Sequence, residues 1–240
     1  VQLLRSVLFY VGLGANTLVF VPICFAIRWL PLPRRFRIVS RWSAINLWWL
    51  RISCGLSHAV EGRENIPDEA CVILCKHQSA WETLALQLVF PPQVWVLKRE
   101  LLRIPIYGWG LATMDPIAID RAAGRRALKT IAAEGRHWLE QGVWVVVFPE
   151  GTRVAPGERR KYQPGGGLLA VESGRKVVPV AHNSGLFWPR NSLLKKPGRI
   201  TLRIGPPIDS AGLDADEVTR RAEEWIEAAA AELLERAAPG

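Results

Sequence analysis

The sequence predicts an α/β fold: a mixed, mostly parallel sheet flanked by helices, preceded by an N-terminal, membrane-attached helical hairpin. Three observations carry this. Short β-rich runs recur after Glu61, with helix-like segments between them. Several of these runs, such as Val143 to Val147, are apolar without alternation, the pattern of strands covered on both faces. The residues before Glu61 differ in chemistry: they are apolar, rich in Trp and Arg, and contain no Asp or Glu.

The first element is the charge-free run from Val7 to Ile27, about 31 Å long as a helix and matched to the hydrocarbon core of a bilayer. Asn16, Thr17 and Pro22 interrupt it. A second helix is predicted over Arg34 to Arg51, where Arg34, Arg35, Arg37 and Arg41 stand among Trp42, Leu47, Trp48, Trp49 and Leu50. Cations mixed with Trp suit a helix lying in the headgroup layer, and the alternative is a hairpin buried against its own domain. A cleaved signal peptide fits poorly, because the apolar run is long and a basic flank follows it. The basic flank places the following domain on the cytoplasmic side by the positive-inside rule. The expected division is therefore 1–54, membrane-anchoring helices, and 55–240, a catalytic domain, with the boundary near Gly55 to Gly62 where the charge pattern changes.

Beyond it, strands are predicted at Cys71 to Lys76, Val94 to Lys98, Pro116 to Asp120, Val143 to Phe148, Val177 to His182 and Ile200 to Ile204. Helices are predicted at Trp81 to Phe90, at Arg125 to Gln141 with Leu128, Ile131, Ala132, Trp138 and Leu139 on its apolar face, and at Asp214 to Ala238. The last begins with acidic residues in its first turn, where the helix dipole favours them.

Composition narrows the function. With 240 residues, 49% of them hydrophobic, the chain is neither disordered nor, with four Cys, a disulfide scaffold. The net charge of +9 is concentrated in Arg5, Arg28, Arg34, Arg35, Arg37, Arg41 and Arg51; the rest is nearly balanced, so the basic pI does not point to nucleic acid. Cys24, Cys54, Cys71 and Cys75 have no metal-ligand spacing with His58 or His77 and read as reduced, buried thiols.

The candidate clusters stand at strand ends, where open α/β sheets place ligand sites. In Lys76-His77-Gln78-Ser79-Ala80-Trp81-Glu82, a helix starting near Ser79 carries Glu82 back beside His77. The carboxylate can then accept the Nδ1 proton and leave Nε2 free as a general base; alternatively His77 is structural. Phe148-Pro149-Glu150-Gly151-Thr152-Arg153 offers a tight turn, an acceptor and a fork-shaped cation suited to phosphate, or else a surface turn with an ion pair. Lys98-Arg99-Glu100 and Ile119-Asp120-Arg121 add cations to the same rim, or are solvated charge. The last cluster, Val178 to Gly185, contains His182 and Ser184, but residues two apart on a strand form no triad and the chain has no Gly-x-Ser-x-Gly elbow.

Taken in order, His77-x4-Glu82, Lys98-Arg99-Glu100-Leu101-Leu102 with Pro105 and Gly108-Trp109, Ile119-Asp120-Arg121, Phe148-Pro149-Glu150-Gly151-Thr152-Arg153, and Val178-Pro179-Val180 resemble the motif blocks of the glycerolipid acyltransferases. The resemblance covers about residues 55 to 210 and is closest to the bacterial members that acylate lysophosphatidate. It implies that His77 takes the proton of the acceptor's sn-2 hydroxyl and that Glu82 orients His77. It further implies that Arg153, helped by Lys98 and Arg121, holds the substrate phosphate, and that Glu150 and Gly151, beside Thr152, shape the glycerol pocket. It implies an acyl thioester, acyl-CoA or acyl carrier protein, as co-substrate, no metal and no other cofactor, and membrane lipids as surroundings at the cytoplasmic face of the inner membrane. Other readings are an acyltransferase for a different lyso-lipid and an inactive lipid-binding membrane protein. Glu82 departs from the commoner Asp, and its extra methylene calls for a different helix position.

Overall fold

A computed structural model describes residues 1–237. Helices α1 (Gln2–Ala26) and α2 (Leu32–Cys54) form the hairpin; α2 stops at Gly55, whose left-handed conformation (φ 67°) a side chain would resist. The strands are β1 (Leu56–Glu61), β2 (Val72–Cys75), β3 (Gln93–Lys98), β4 (Ile117–Ile119), β5 (Trp144–Val147), β6 (Val177–His182) and β7 (Gly198–Ile204). Between and after them run α3 (Trp81–Val89), α4 (Tyr107–Ala112), α5 (Arg125–Glu140), α6 (Gly165–Ser173) and α7 (Ala215–Glu235). Ala238, the expected end of the last helix, lies outside the described residues.

The seven strands form one sheet in the order β1-β7-β6-β2-β5-β3-β4. Every pairing is parallel except β6 with β7, so the sheet is mixed and mostly parallel, as expected. Every residue of β2, β5 and β6 is buried, because helices cover both faces of the centre; that is why these runs are apolar without alternation. The C-terminal ends of β2, β5 and β6 therefore lie side by side, and the loops leaving them meet.

Three elements depart from the sequence reading. The segment read as a boundary is strand β1, pairing in parallel with β7 from Leu56–Gly198 to Glu61–Arg203. It is a half-exposed edge strand, so its polar residues hid it. Helix α6 opens with Gly165, Gly166 and Gly167, which propensity alone reads as loop. The glycines are there for close packing: a Cβ on Gly167 would lie 2.4 Å from the Ala215 carbonyl oxygen, and one on Gly166 2.3 Å from Leu74 Cδ2. Short helix α4 was likewise not anticipated.

The hairpin is held together by the residues that interrupt its hydropathy. Asn16 donates to the Trp42 carbonyl (3.2 Å), Trp42 Nε1 to Thr17 Oγ1 (3.2 Å) and Trp49 Nε1 to the Leu8 carbonyl (3.2 Å). Gly12 lets the Trp49 ring lie against α1. Arg35, expected among the headgroup cations, is instead buried and donates to the Thr113 carbonyl and the Asp115 carboxylate. Elsewhere on the hairpin Leu3, Leu4, Val7, Val11, Val19, Trp29, Trp48 and Ile52 are exposed among the described residues. Helix α1 is long and apolar enough to cross a membrane.

One further contact ties α1 to the domain. Lys195 is fully buried, its ammonium 2.5 Å from Tyr10 Oη and over the rings of Tyr10 (3.8 Å) and Trp188 (4.6 Å). Its backbone N–H donates to Ser6 Oγ (2.9 Å).

Candidate active site

His77 leaves the end of β2 and reaches the wall of a cleft of about 1180 Å³ between the hairpin and the sheet. Its Nδ1 is 2.8 Å from Glu82 Oε1. Glu82 sits in the first turn of α3, where it bonds back to the loop that leads into the helix. Ser79 Oγ accepts the Trp81 N–H (3.1 Å), while Glu82 Oε1 reaches back to the Ser79 N–H (2.8 Å) and the Gln78 N–H (3.0 Å). The Ser-x-x-Glu spacing thus serves helix initiation and histidine orientation with one carboxylate.

Burial would raise the Glu82 carboxyl, but the charge that the facing His182 and His77 rings carry when protonated, together with the hydrogen bonds from His77 and the Ser79 N–H, outweighs it and holds it down at about 2. It is therefore an anion at neutral pH. An anion on Nδ1 fixes the proton there, and Nε2 is the nitrogen left for the cleft. The His77 ring also stacks on Phe148, centroids 4.0 Å apart and planes 16° apart.

Lys98, Arg121 and Arg153 line the same cleft as His77, so three of the predicted cations converge on one space. Arg121 donates to the Gly151 carbonyl, and Arg190 to that of Arg153 (2.9 Å), which braces the loop after β5. Gly151 turns at φ 70°. Glu150 is placed differently from the cations: it is buried behind the wall. Its Oε2 accepts the His77 backbone N–H (2.6 Å), and Oε1 lies 2.8 Å from Lys76 Nζ. Thr152 is partly buried in the same turn and, like Glu150 and Gly151, is not among the residues lining the cleft.

Several residues that the sequence reading passed over belong to this assembly. Lys76 is buried and shared between Glu150 and Glu227 of α7 (2.6 Å), with Tyr162 also donating to Glu227 (2.9 Å). Lys76 adjoins His77, but no local pattern points to Glu227. Hairpin residues Tyr10, Leu13, Thr17, Leu18 and Trp42 line the cleft together with the cations, so its wall combines basic and apolar residues. No group of three or more His, Cys, Asp or Glu able to hold a metal occurs among the described residues.

Comparison with known proteins points to one family. A 1-acyl-sn-glycerol-3-phosphate acyltransferase of Pseudomonas aeruginosa is 44% identical over 238 residues, covering 97% of this chain and 93% of the relative. The human 1-acyl-sn-glycerol-3-phosphate acyltransferase beta is 28% identical over 229 residues, covering 91% of this chain and 81% of its own. The crystal structure of the 1-acyl-sn-glycerophosphate acyltransferase of Thermotoga maritima superposes with a TM-score of 0.81 at 23% identity, covering 100% of this chain and 98% of that one, so the fold is shared, hairpin included. The family model for acyltransferases matches residues 57–183, the stretch from β1 to the residue after β6 that contains His77, Glu82, Lys98, Arg121 and Arg153. With its His-x4-Glu pair, its convergent cations and these relatives, the chain belongs to the acyltransferase family.

Proposed function

We propose that the protein transfers a fatty acyl group from an acyl thioester, acyl-CoA or acyl carrier protein, to the sn-2 hydroxyl of lysophosphatidate, giving phosphatidate for phospholipid synthesis. The observation that carries this is the His77–Glu82 contact of 2.8 Å on the wall of a cleft that also presents Lys98, Arg121 and Arg153. The phosphate of the acceptor is held by the cations, Arg153 foremost, and its acyl chain lies along the apolar hairpin residues. Nε2 of His77 takes the hydroxyl proton as that oxygen attacks the thioester carbonyl; the tetrahedral adduct collapses with loss of the thiolate, which recovers a proton from His77. Glu82 stabilises the imidazolium between these steps. Glu150 and Gly151 shape the acceptor pocket from behind by fixing His77 and the loop carrying Arg153.

In this reading residues 1–54 anchor the enzyme and 55–240 carry the chemistry. The exposed apolar face of α1 lies in the bilayer, with the domain at the cytoplasmic face of the inner membrane. A lipid acceptor then enters the cleft from the membrane side.

Purified protein assayed with lysophosphatidate and each donor tests the proposal. His77→Ala lowers turnover by about 10²–10⁴, the usual worth of a positioned general base. Glu82→Gln keeps size but loses charge, so it costs more than Glu82→Asp. The double change is scarcely worse than His77→Ala, since base and orienter act as a unit. Preference for another lyso-lipid would overturn the acceptor assignment, and absence of any product would overturn the activity.

A further inference from the structure

His182 and Ser184 lie behind the dyad, both fully buried, and take no part in the chemistry described above. His182 ends β6 and Ser184 begins the turn after it. Their contacts run between the two ends of the His77 assembly. Ser184 Oγ is 3.1 Å from Glu82 Oε2 and 3.0 Å from His182 Nδ1. His182 Nε2 is 2.8 Å from the carbonyl of Lys76, the residue before His77.

Hydrogen counting assigns these contacts a direction. A carbonyl only accepts, so His182 Nε2 carries a proton and donates to Lys76. Burial lowers the pKa of His182, favouring the neutral ring, so Nδ1 is an acceptor. The Ser184 backbone N–H reaches Nδ1 at 3.4 Å. The single Ser184 hydroxyl proton is then shared between two acceptors, His182 Nδ1 and the stronger one, the Glu82 carboxylate.

We propose that Ser184 and His182 are positioning residues for the His77–Glu82 pair. Ser184 holds the second carboxylate oxygen, and His182 holds both the Ser184 turn and the peptide unit from which His77 springs. The inference rests on the dyad reading given above. It explains a need that Oε1 alone does not meet. The terminal torsion of a Glu side chain is broad, so donors on one oxygen leave the carboxylate plane free to swing. Oε2 lies 3.9 Å from His182 Nε2, which is committed to Lys76, leaving Ser184 as its hydrogen-bond donor. The same peptide unit is gripped at its other end by Glu150, which accepts the His77 N–H. An Asp at position 82 would fall short of Ser184 by a methylene, so Ser184 and the longer acid belong together.

Steady-state kinetics in two backgrounds test this. Ser184→Ala lowers kcat about tenfold or more, the worth of a hydrogen bond to a charged group, with KM for both substrates unchanged. Ser184→Thr, which keeps the hydroxyl, restores most of it. In a Glu82→Asp background Ser184→Ala adds little, because the contact is already gone. His182→Gln, which keeps an N–H for Lys76, retains more kcat than His182→Leu; this pair serves if Ser184→Ala folds poorly. Equal losses from Ser184→Ala in both backgrounds, or a loss appearing in KM, would overturn the inference while leaving the dyad intact. Full turnover in Glu82→Gln would instead remove the dyad reading itself.

Discussion

The carboxylate of Glu150 accepts the backbone N–H of His77 at 2.6 Å, joining two motifs that lie 73 residues apart. The contact depends on neighbouring strands: β2 and β5 pair in parallel, so the loops leaving their C-terminal ends meet. Glu150 also shares Lys76 with Glu227, so one buried cation faces two carboxylates.

That imbalance predicts an unusual pH response. Burial raises the Glu150 carboxyl from 4.5 to about 7, against the pull of Lys76 and the His77 N–H. Between these values the folded protein keeps a proton that the unfolded chain releases, so this group's contribution to stability is full below pH 4.5 and lost as pH rises toward 7. The loss amounts to about 3 kcal/mol by linkage. Glu150→Gln should flatten that slope in denaturant titrations from pH 5 to about 7.5. An unchanged slope in the variant would show that another group titrates there.

Arg153→Ala should raise KM for lysophosphatidate, because loss of a charge-assisted phosphate contact costs about 2–4 kcal/mol. The KM for the acyl donor should move little. Equal increases for both substrates would place Arg153 in the maintenance of its loop, where Arg190 already grips its carbonyl.

Lys195 predicts how the hairpin depends on the domain. Its ammonium lies among Tyr10, Trp188 and Phe9, so Lys195→Ala removes cation–π contacts and a buried stem and leaves a cavity. Thermal unfolding in detergent should show a loss of about 2–4 kcal/mol, and Tyr10→Phe a loss of about 1 kcal/mol. Protease cleavage between α1 and α2 should become faster in Lys195→Ala; an unaltered cleavage rate would argue that α1 is held by other contacts.

Membrane attachment should resist salt. Screening acts on the exposed Arg37 and Arg41, whereas the apolar face of α1 is held by burial of hydrocarbon surface. Sedimentation of vesicle-bound protein in about 1 M salt should leave most of it bound. Removal of residues 1–52 should release the domain or leave it insoluble. Recovery of most intact protein in the salt wash would disprove insertion.

Much of this molecule was legible in the sequence because burial on both faces writes itself as apolar runs: β2, β5 and β6 were found that way. The motif residues were legible because His77 and Glu82 are local, five residues apart. Strand β1 was hidden by its half-exposed edge position, and α6 by glycines chosen for contact with Ala215 and Leu74. Lys76 with Glu227, and Ser184 with Glu82, are contacts between distant elements, and no spacing rule reaches them. Arg35 was misread because a cation in a Trp-rich helix looks the same whether it meets lipid phosphate or Asp115.

In the proposed arrangement one helix is shared between bilayer and cleft, and this has a mechanical consequence. Tyr10, Leu13 and Thr17 form part of the cleft wall, while Leu4, Val11 and Val19 point away from the domain. In the proposed arrangement the tilt that α1 adopts to match the hydrocarbon thickness also sets the width of the substrate passage. The enzyme would then gauge, through the position of a single helix, the thickness and stiffness of the membrane that its own product goes on to build.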